Sequence, residues 1–571
     1  MSDVLQRLMR KGETLLATVS GVGSTKAELI RYFDRSVDAI DIITTKSFQH
    51  EPNPGNREPV ICEVERGTFG NSVGLRNPGL QVALHELRQL RKTHSFRSLL
   101  NVSLSASTPE DFVILVKAFD EVADLVELNF SCPHAEPGYG STIGENLELA
   151  SRYVRFIKAN TAECRAPLFV KLTPNVNDIA SIAKAVVEAG ADGIVAINTV
   201  GPLLHIDPAA KKPILQNKLG GKGGQSGKTV FPIALKAITE IREALGEAIP
   251  IIGMGGVDSG ADAAKLIEAG ANVVGIGSAL GTVDQRSWPQ YLKAIKKEAN
   301  HLLYNGKKPA ISSVSFIKTH RQMEYRKHIV LENEAYGSDT TILRLDGELP
   351  TKAGQFAFLW LPQIGEKPFS VAHNDPLTFV IKRRGPFSDE LCSLQKGDEV
   401  YIRGLYGRGF DPPKTKKALL IGGGTGVAVL PALAEQLSER GTAIEILVGT
   451  SEAVETSALL EEKLSSYGSF VCVADEGKPG RVLDLLDGRA FDEDTACYLV
   501  GPQVFMALAA RTVLEGGVKE ERLYLSQELM TLCGIGMCGE CVCGDRLTCQ
   551  WGTFMEYRYL KEHAPSLIAY D

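Results

Sequence analysis

Five of the eleven cysteines in this 571-residue chain lie in one short stretch near the C-terminus, LCGIGMCGECVCGDRLTC. Four of them have the spacing Cys533-x4-Cys538-x2-Cys541-x7-Cys549, and the glycines beside them let a loop wrap closely around a cluster. This spacing is typical of plant-type [2Fe–2S] sites. A zinc knuckle or free thiols are the alternatives. Cys543 is interpreted as the spare cysteine, although it could in principle replace Cys541 or Cys549.

A glycine-rich loop after a strongly apolar run forms a second candidate site. The run KKALLI leads into this loop, which consists of Gly422, Gly423, Gly424, Thr425 and Gly426. An apolar helical stretch follows, so backbone amides and the start of a helix can approach a pyrophosphate. The loop therefore predicts a dinucleotide site, with NAD as the expected ligand; the sequence leaves NADP open.

Polar side chains and glycines end short apolar runs throughout the first 300 residues. These strand-end residues are Lys46, Asn101, Asn129, Cys132, Lys171, Asn198, Thr199, Gly255, Gly256, Gly277 and Ser278. A cysteine can act as a general base and a lysine can stabilise a developing anion, provided that they meet at one site. The glycines of IGMGG and GIGS would form a phosphate cradle.

The elements that must position these residues alternate along the chain. Eight β-rich runs, from LLATVS to VVGIG, alternate with amphipathic helical patterns such as SIAKAVVEAG. This alternation predicts an α/β fold, a (β/α)8 TIM barrel, with a doubly wound open sheet as the competing fold. In a barrel the carboxyl ends of the strands share one face, so the strand-end residues are expected to converge.

The pattern changes after residue 303. A polar break, YNGKKPAISS, predicts a linker at 304–312, and period-two runs such as QFAFLWL predict an antiparallel β-barrel at 313–412. An α/β nucleotide-binding domain is expected at 413–522, and a cysteine-bearing tail at 523–571. The first domain is then 1–303.

Composition excludes several classes of function. The net charge of −7 has mixed signs along the chain, which argues against nucleic-acid binding. No apolar run approaches the roughly 20 residues that span a bilayer, and the N-terminus lacks a secretory apolar core. The sequence therefore predicts a cytoplasmic protein without a membrane segment.

Two regions resemble known families. Residues 13–300 resemble the dihydroorotate dehydrogenase family, and NSVGLRNPG, from Asn71 to Gly79, closely matches a family segment. Residues 313–556, with KPFS, GLYGRGF, GPQVFM and the cysteine stretch, resemble a ferredoxin-reductase-like electron-transfer subunit of the NAD-linked (class 1B) branch. The resemblance implies a catalytic FMN module fused to an FAD and [2Fe–2S] module.

The resemblance also implies roles for residues. Cys132 would take the C5 proton as the C6 hydride passes to FMN, and Lys171 would stabilise the reduced flavin anion. The implied substrate-binding residues are Lys46, Asn71, Gly74, Leu75, Asn129, His134, Asn198 and Thr199. The implied FMN-binding residues are Ser20, Gly21, Lys46, Asn101, Asn129, Lys171, Ser226, Gly227, Gly255, Gly256, Gly277 and Ser278. The implied FAD-binding residues are Lys367, Pro368, Phe369, Ser370, Gly385, Phe387 and Ser388.

The implied activity is oxidation of dihydroorotate to orotate in pyrimidine (UMP) biosynthesis, with electrons passing from FMN through [2Fe–2S] and FAD to NAD+. A homodimer through the TIM barrel is expected. Three departures from the family pattern stand out: Lys367 replaces an arginine, Val500 a cysteine, and His134 an asparagine. Because an SCPH segment resembles that of dihydropyrimidine dehydrogenases, an NAD(P)H-dependent uracil or thymine enzyme is the alternative. A diaphorase-like electron-transfer protein is a third hypothesis. The direction in the cell stays open.

Overall fold

The computed structural model describes five stretches of the chain, at residues 3–131, 141–305, 323–450, 459–475 and 481–569. They form two compact units. Unit 1 consists of Met1–Asp207, Lys212–His320 and Ile535–Glu540, and unit 2 consists of Pro208–Lys211, Arg321–Gly534 and Cys541–Asp571. Most of the linker predicted at 304–312 lies outside the described residues.

The described residues of unit 1 form twelve strands. They are β1 Leu15–Thr18, β2 Ile40–Thr44, β3 Ile61–Glu65, β4 Thr68–Asn71, β5 Leu99–Leu104, β6 Leu125–Asn129, β7 Leu168–Lys171, β8 Gly193–Ala196, β9 Val200–Leu204, β10 Lys222–Gly227, β11 Ile251–Met254 and β12 Val273–Ile276. Eight of them close into a parallel barrel in the order β1-β12-β11-β8-β7-β6-β5-β2. These eight are the runs that the sequence marked as strands, and they are almost entirely buried because helices cover the outer face of the barrel.

The helices of unit 1 follow the strands in the order expected of a TIM barrel. They are α1 Asp3–Leu8, α2 Ala27–Ser36, α3 Leu80–Thr93, α4 Pro109–Phe119, α5 Ser141–Gly144, α6 Leu147–Asn160, α7 Ile179–Glu188, α8 Phe231–Leu245, α9 Gly260–Glu268 and α10 Trp288–Asn300. Several begin at side-chain caps, such as Thr108 at α4 and Asp178 at α7, which satisfy amides that the helix leaves unpaired. The predicted (β/α)8 fold is confirmed.

A second sheet in unit 1 was not predicted from the sequence. It is antiparallel in the order β3-β4-β10-β9. The segments TFGN and KGGQSG that form β4 and β10 are short and rich in glycine, which carries little strand preference. This sheet holds Asn71 at the end of β4.

In the part of unit 2 that the structure describes there are fourteen strands. They are β13 Arg326–Tyr336, β14 Thr340–Leu345, β15 Phe356–Leu361, β16 Gly365–Asn374, β17 Leu377–Lys382, β18 Glu399–Tyr406, β19 Lys417–Gly423, β20 Ala443–Thr450, β21 Ser469–Ala474, β22 Thr495–Val500, β23 Leu523–Ser526, β24 Val542–Cys543, β25 Arg546–Leu547 and β26 Phe554–Glu556. Strands β13 to β18 close into the antiparallel barrel that the period-two runs predicted. A six-stranded sheet follows in the order β21-β20-β19-β22-β23-β26.

The nucleotide-binding sheet extends past the predicted domain boundary at 522. Strand β23 is its fifth strand, parallel to β22, and β26 adds to β23 in the antiparallel direction. The cysteine stretch therefore lies between two neighbouring strands of this sheet. The sequence hides this arrangement because β26 is only three residues long.

The helices of unit 2 are short. They are α11 Pro386–Leu391, α12 Leu430–Ser438, α13 Glu461–Ser465, α14 Gln503–Glu515, α15 Thr548–Trp551 and α16 Tyr557–His563. Helices α12 and α14 bury apolar side chains in the two clusters that line the six-stranded sheet. Among the described residues no helix combines the length and the apolar character that spanning a membrane requires.

Candidate active site and cofactor sites

Barrel register brings the predicted lysine beside a buried acid. Strand β6 pairs with β7 so that Asn129 lies opposite Lys171, and β5 pairs with β6 so that Ser103 lies opposite Glu127. Lys171 Nζ lies 3.7 Å from Glu127 Oε1, and both side chains are buried. The strand ends thus hold a positive charge whose nearest counter-charge is a carboxylate one layer below.

Ser47, just after β2, connects four strand ends. Its hydroxyl accepts a hydrogen bond from Asn129 Nδ2 at 2.8 Å and lies 2.9 Å from Ser103 Oγ and 3.2 Å from Ser20 Oγ. Ser103 Oγ in turn donates to Glu127 Oε1 at 2.8 Å. This buried network fixes the Asn129 side chain without using its amide oxygen.

The amide oxygen of Asn129 holds the segment that leads to the predicted base. Asn129 Oδ1 accepts from the Ser131 backbone amide at 3.2 Å and from Ser131 Oγ at 2.8 Å. Asn198 Nδ2 donates to Ser131 Oγ at 2.8 Å, and Asn198 Oδ1 accepts from the Thr199 amide at 2.9 Å. Cys132 and His134 themselves lie outside the described residues.

The segment that matches the family pattern lines a cavity of about 620 Å³. Gly74 and Leu75 lie in its wall, with φ of 73° and 56°, so the chain makes a left-handed turn there. Asn71 donates to the Gly224 carbonyl at 3.1 Å across β4 and β10. Lys46 Nζ lies 3.0 Å from Glu540 Oε1 within unit 1. Lys46 and Asn71 are not among the residues described around this cavity.

The residues predicted to bind FMN fit a polar ligand at the barrel's carboxyl face. Among the described residues, the Asn101 Oδ1 and Glu127 Oε2 atoms are buried without a hydrogen-bond partner. Asn101 uses only its Nδ2 group, which donates to Thr44 Oγ1 at 3.2 Å. A free buried acceptor beside Lys171 is what a flavin's ring N–H group would satisfy.

The predicted phosphate cradle is assembled from neighbouring loops. Gly255 and Gly256 follow β11, and Gly277 and Ser278 follow β12. A Cβ on Gly256 would lie 2.7 Å from the Gly227 carbonyl oxygen, so the IGMGG glycines pack directly on the end of β10. The remaining predicted residues of this group are Ser20 and Gly21 after β1 and Ser226 in β10.

A cavity between the antiparallel barrel and the β23–β26 region fits the predicted FAD site. Pro368, Phe369 and Ser370 of β16 line it, together with Thr425 and Gln527. Gln527 Nε2 is buried without a partner among the described residues, which leaves a donor for a ligand.

Not every predicted FAD residue reaches this cavity. Lys367 is exposed on β16 and is not among the described residues that line it. Phe387 is 5% exposed and packs in the barrel core beside Phe369, so it supports the strand rather than facing the ligand. Ser388 Oγ accepts from the Arg384 amide and donates to the Gly385 carbonyl, which shapes the turn before α11.

The predicted NAD loop lines a groove of about 560 Å³. Gly423, Gly424, Thr425 and Gly426 lie in its wall. A Cβ on Gly426 would lie 2.7 Å from the Gly501 amide nitrogen, so the loop needs glycine for this close approach. The remaining predicted glycine of the loop, Gly422, lies within β19, where a Cβ would lie 2.9 Å from the Val427 side chain. Its small size therefore serves packing.

The four predicted cluster ligands are buried. Burial raises the pKa of Cys549, and the sulfurs of Cys533 and Cys541 beside it raise that pKa further. The Cys549 thiol lowers the pKa of Cys541 through a hydrogen bond. Three cysteine sulfurs thus converge within unit 2. Among the described residues, however, no group of three or more His, Cys, Asp or Glu side chains has the arrangement of a metal-ion site.

Four buried cysteines are a donor set that fits the predicted [2Fe–2S] cluster. Thiolates are the ligands that [2Fe–2S] clusters use, shared between two irons. Cys543 lies in β24, and its side chain is part of the apolar core beside α16. This location agrees with its interpretation as the spare cysteine.

Comparison with known proteins identifies the family. The dihydroorotate dehydrogenase family matches residues 14–303, which is just over half of the chain. The chain belongs to the dihydroorotate dehydrogenase family. It is therefore an oxidoreductase, and its barrel is the family's catalytic fold.

Individual relatives cover the N-terminal half of the chain. The chain is 44% identical over 237 residues to the catalytic subunit of dihydroorotate dehydrogenase B (NAD(+)) from Methanocaldococcus jannaschii, covering 41% of this chain and 74% of that protein. It is 38% identical over 302 residues to the corresponding Pyrococcus horikoshii subunit, covering 53% and 92%. A crystal structure of DHODH from Eimeria tenella with ferulenol gives a TM-score of 0.43 at 20% identity, covering 50% and 80%.

Three residues that organise the candidate site were missed in the sequence: Ser47, Ser103 and Glu127. A signal for one of them was present. Glu127 is a charged residue inside the apolar run LVELNF, two positions before Asn129, and strand alternation places both on the same face. The serines carried no comparable signal.

Proposed function

We propose that this chain oxidises dihydroorotate to orotate with NAD+ as the final acceptor, as a step of pyrimidine (UMP) biosynthesis. The observation that carries the proposal is the convergence of Asn129 and Asn198 on Ser131, the residue that precedes Cys132. Two amides that fix the backbone before a strand-end cysteine suit a base that must meet one substrate proton. The relatives' names, catalytic subunits of the NAD(+)-type enzyme, support the same substrate and acceptor.

In this proposal the barrel residues bind, orient and move a proton. Cys132 accepts the proton from substrate C5. Lys171 supplies a positive charge where negative charge develops, and Glu127 below it keeps the ammonium in place. Lys46, Asn71, Asn129, Asn198 and Thr199 contribute donors and acceptors for the pyrimidine ring and its carboxylate.

The residues present support three resident groups. When bound, FMN would supply hydride acceptance, a [2Fe–2S] cluster single-electron transfer, and FAD two-electron exchange with NAD+. The strand ends with the buried Asn101 acceptor would hold FMN, and the cavity with Ser370 and Gln527 would hold FAD. The cluster would be held by the set Cys533, Cys538, Cys541 and Cys549.

We further propose the division of the chain into an FMN barrel at 1–303, a linker at 304–312, an FAD barrel at 313–412 and an NAD domain from 413 onward. The sheet of this NAD domain includes β23 and β26, so the cysteine stretch of the predicted 523–571 tail is an insertion between these two strands. One polypeptide would fix the stoichiometry of the two modules and raise their effective concentration. The proposed location is the cytoplasm, as the sequence predicts.

A uracil-type substrate is the second candidate because of one residue. His134 follows Cys132 at the position where the family has asparagine. A histidine can donate a hydrogen bond as asparagine does, but it has no amide oxygen to accept one. The two candidate functions differ in whether the substrate carries a carboxylate: dihydroorotate does, and uracil does not.

The proposal is tested on the purified full chain under anaerobic conditions. We expect FMN and FAD in equal amounts and two irons per chain, and dihydroorotate should bleach the flavin and cluster absorbance. Reduction of uracil by NADH is measured in parallel, as the reaction of the second candidate function. Turnover of uracil without any bleaching by dihydroorotate would replace the proposed substrate, and a single flavin species would contradict the cofactor set.

A homodimer is proposed for the barrel. Three large apolar side chains on and after β9 are exposed, Leu203, Leu204 and Ile206, by 39, 48 and 46%. Neighbouring exposed apolar residues of this kind are typical of a protein interface. In sedimentation experiments the wild-type chain should be a dimer, and Leu204→Asp should shift it toward monomer. A monomeric wild type would contradict the assignment.

A further inference from the structure

Arg403, on β18, is a completely buried arginine whose five N–H groups all have acceptors. Two of its bonds form a fork to one carboxylate: Nε donates to Glu366 Oε2 and Nη2 to Glu366 Oε1, both at 2.6 Å. Nη1 donates to the Tyr406 hydroxyl at 2.7 Å. The remaining two donors bind backbone carbonyls, of Cys533 at 2.9 Å and of Leu532 at 3.2 Å. An arginine has five donors, so the site is filled.

The carboxylate partner connects this arginine to β16, the strand that carries the predicted FAD-binding segment KPFS. Glu366 lies on β16 directly before Lys367, Pro368 and the rest of the KPFS segment, and it is 1% exposed. Tyr325 donates a hydrogen bond to the same carboxylate. Burial lowers the pKa of the Arg403 guanidinium, but Glu366, Tyr406 and Tyr325 together outweigh this effect and the pKa ends above its ordinary value.

Tyr406 fixes the same loop a second time. A Cβ on Gly534 would lie 2.6 Å from the Tyr406 ring, so the ring packs directly on the residue after Cys533. The Arg403 guanidinium also lies 3.9 Å from the centre of the Phe358 ring. The start of the cysteine loop is therefore held by hydrogen bonds on one side and by a packed ring on the other.

A buried ion pair of this kind needs an explanation. Removing two charges from water costs several kcal/mol per ion, and apolar residues of the same volume are often as stable or more stable. General stability is therefore a weak reason to keep Arg403 and Glu366. Their contacts point to the loop instead, because two of the five donors are spent on carbonyls at the first predicted cluster ligand.

We infer that Arg403 and Glu366 are positioning residues for the iron–sulfur cluster. They fix the backbone of Cys533, and they place a buried positive charge between β16, the strand of the KPFS segment, and the start of the cysteine stretch. This inference rests on the proposed function, which assigns the cluster to this loop. Groups next to the ligands tune a metal centre through orientation and charge.

The two residues have distinguishable effects. The guanidinium faces the loop and the carboxylate lies behind it. Glu366→Gln removes the negative partner and leaves the positive charge, which favours the more negative, reduced form of a cluster; the midpoint potential should become more positive. Arg403→Lys keeps the charge but cannot supply the fork and both carbonyl bonds, so the loop should hold iron less firmly.

The test uses the full chain with its cofactors. Cluster spectra by visible circular dichroism and electron paramagnetic resonance, the cluster midpoint potential, and the rate of iron loss to a chelator are measured. Matched controls are Glu445→Gln and Arg489→Lys, since these residues form a fork at 2.9 and 2.7 Å elsewhere in unit 2. We expect iron loss to accelerate about 10-fold or more in Arg403→Lys and the potential to rise in Glu366→Gln, with the controls unchanged.

Tyr406→Phe keeps the ring on Gly534 and removes one acceptor without any change of charge, so it covers the case in which a charge variant fails to fold. Faster iron loss in this variant supports the inference. Folded variants with wild-type spectra, potential and iron loss overturn it. A wild-type chain without a [2Fe–2S] spectrum contradicts the proposed cluster itself, which is a separate failure.

Discussion

Replacing Glu127 with glutamine tests whether the charge of Lys171 is compensated inside the barrel. The two groups lie 3.7 Å apart and both are buried. With an effective dielectric constant of about 20, two unit charges at this distance attract by roughly 4 kcal/mol. Removing one partner of a buried pair typically costs about 3–5 kcal/mol. Glutamine keeps the shape and can still accept from Ser103, so the change isolates the charge.

We therefore expect Glu127→Gln to destabilise the barrel by about 3 kcal/mol. For a domain of this size, that corresponds to a fall in Tm of roughly 6–12 °C. The assay is thermal unfolding of the full chain, monitored by the rise in flavin fluorescence as FMN is released. The uncompensated Lys171 charge should also make the FMN midpoint potential more positive, which dye equilibration measures.

Glu121→Gln is the matched control, since its carboxylate bonds to Arg88 in a pair that is about half exposed. Such exposed pairs contribute about 0–1 kcal/mol. The charge pairing is refuted if Glu127→Gln lowers the free energy of unfolding by no more than this control and leaves the flavin midpoint potential unchanged. Lys171 would then not depend on Glu127, and the strand-end network would have no electrostatic role.

Three further predictions test the proposed chemistry. Cys132→Ser should slow flavin reduction by dihydroorotate while NADH reduction of FAD continues, and Cys164→Ser should leave both rates unchanged; parallel loss of both half-reactions would make Cys132 structural. Cys533→Ser should abolish the cluster, whereas Cys543→Ser should retain two irons per chain because its side chain lies in the apolar core; iron loss from Cys543→Ser would reverse that assignment. His134→Asn should retain dihydroorotate turnover within about tenfold, because an amide can also donate to the ring; its complete loss would make this histidine essential.

The sequence predicted those parts of the fold whose strands are buried on both faces. The eight barrel runs are nearly continuous apolar segments, so their position and alternation were sufficient. The sheet of β3, β4, β9 and β10 was missed because glycine-rich segments such as KGGQSG become strands only through tertiary pairing. The three-residue strand β26 was missed for the same reason, since its pairing with β23 defines it.

At the site, the side chains that face a ligand were easier to predict than the side chains that hold them. Asn129 and Lys171 stood at the ends of apolar runs. Ser47 gave no signal, because a serine after a strand is common and its role depends on three partners from different strands. Arg403 stood inside the run DEVYIRG, but only the three-dimensional structure shows that its donors reach the Cys533 carbonyl.

The cysteine stretch lies between β23 and β26, which are hydrogen-bonded neighbours. At its base the backbone N–H of Gln527 donates to the Thr553 carbonyl at 2.8 Å, and Ser526 Oγ donates to Thr553 Oγ1 at 2.9 Å. The two ends of the segment are thus joined by hydrogen bonds of the sheet, none of which uses a cysteine side chain. Folding of the nucleotide-binding sheet and acquisition of iron become separable events: the sheet can form first, receive its metal afterwards, and lose that metal through local opening of one loop rather than through unfolding of the domain.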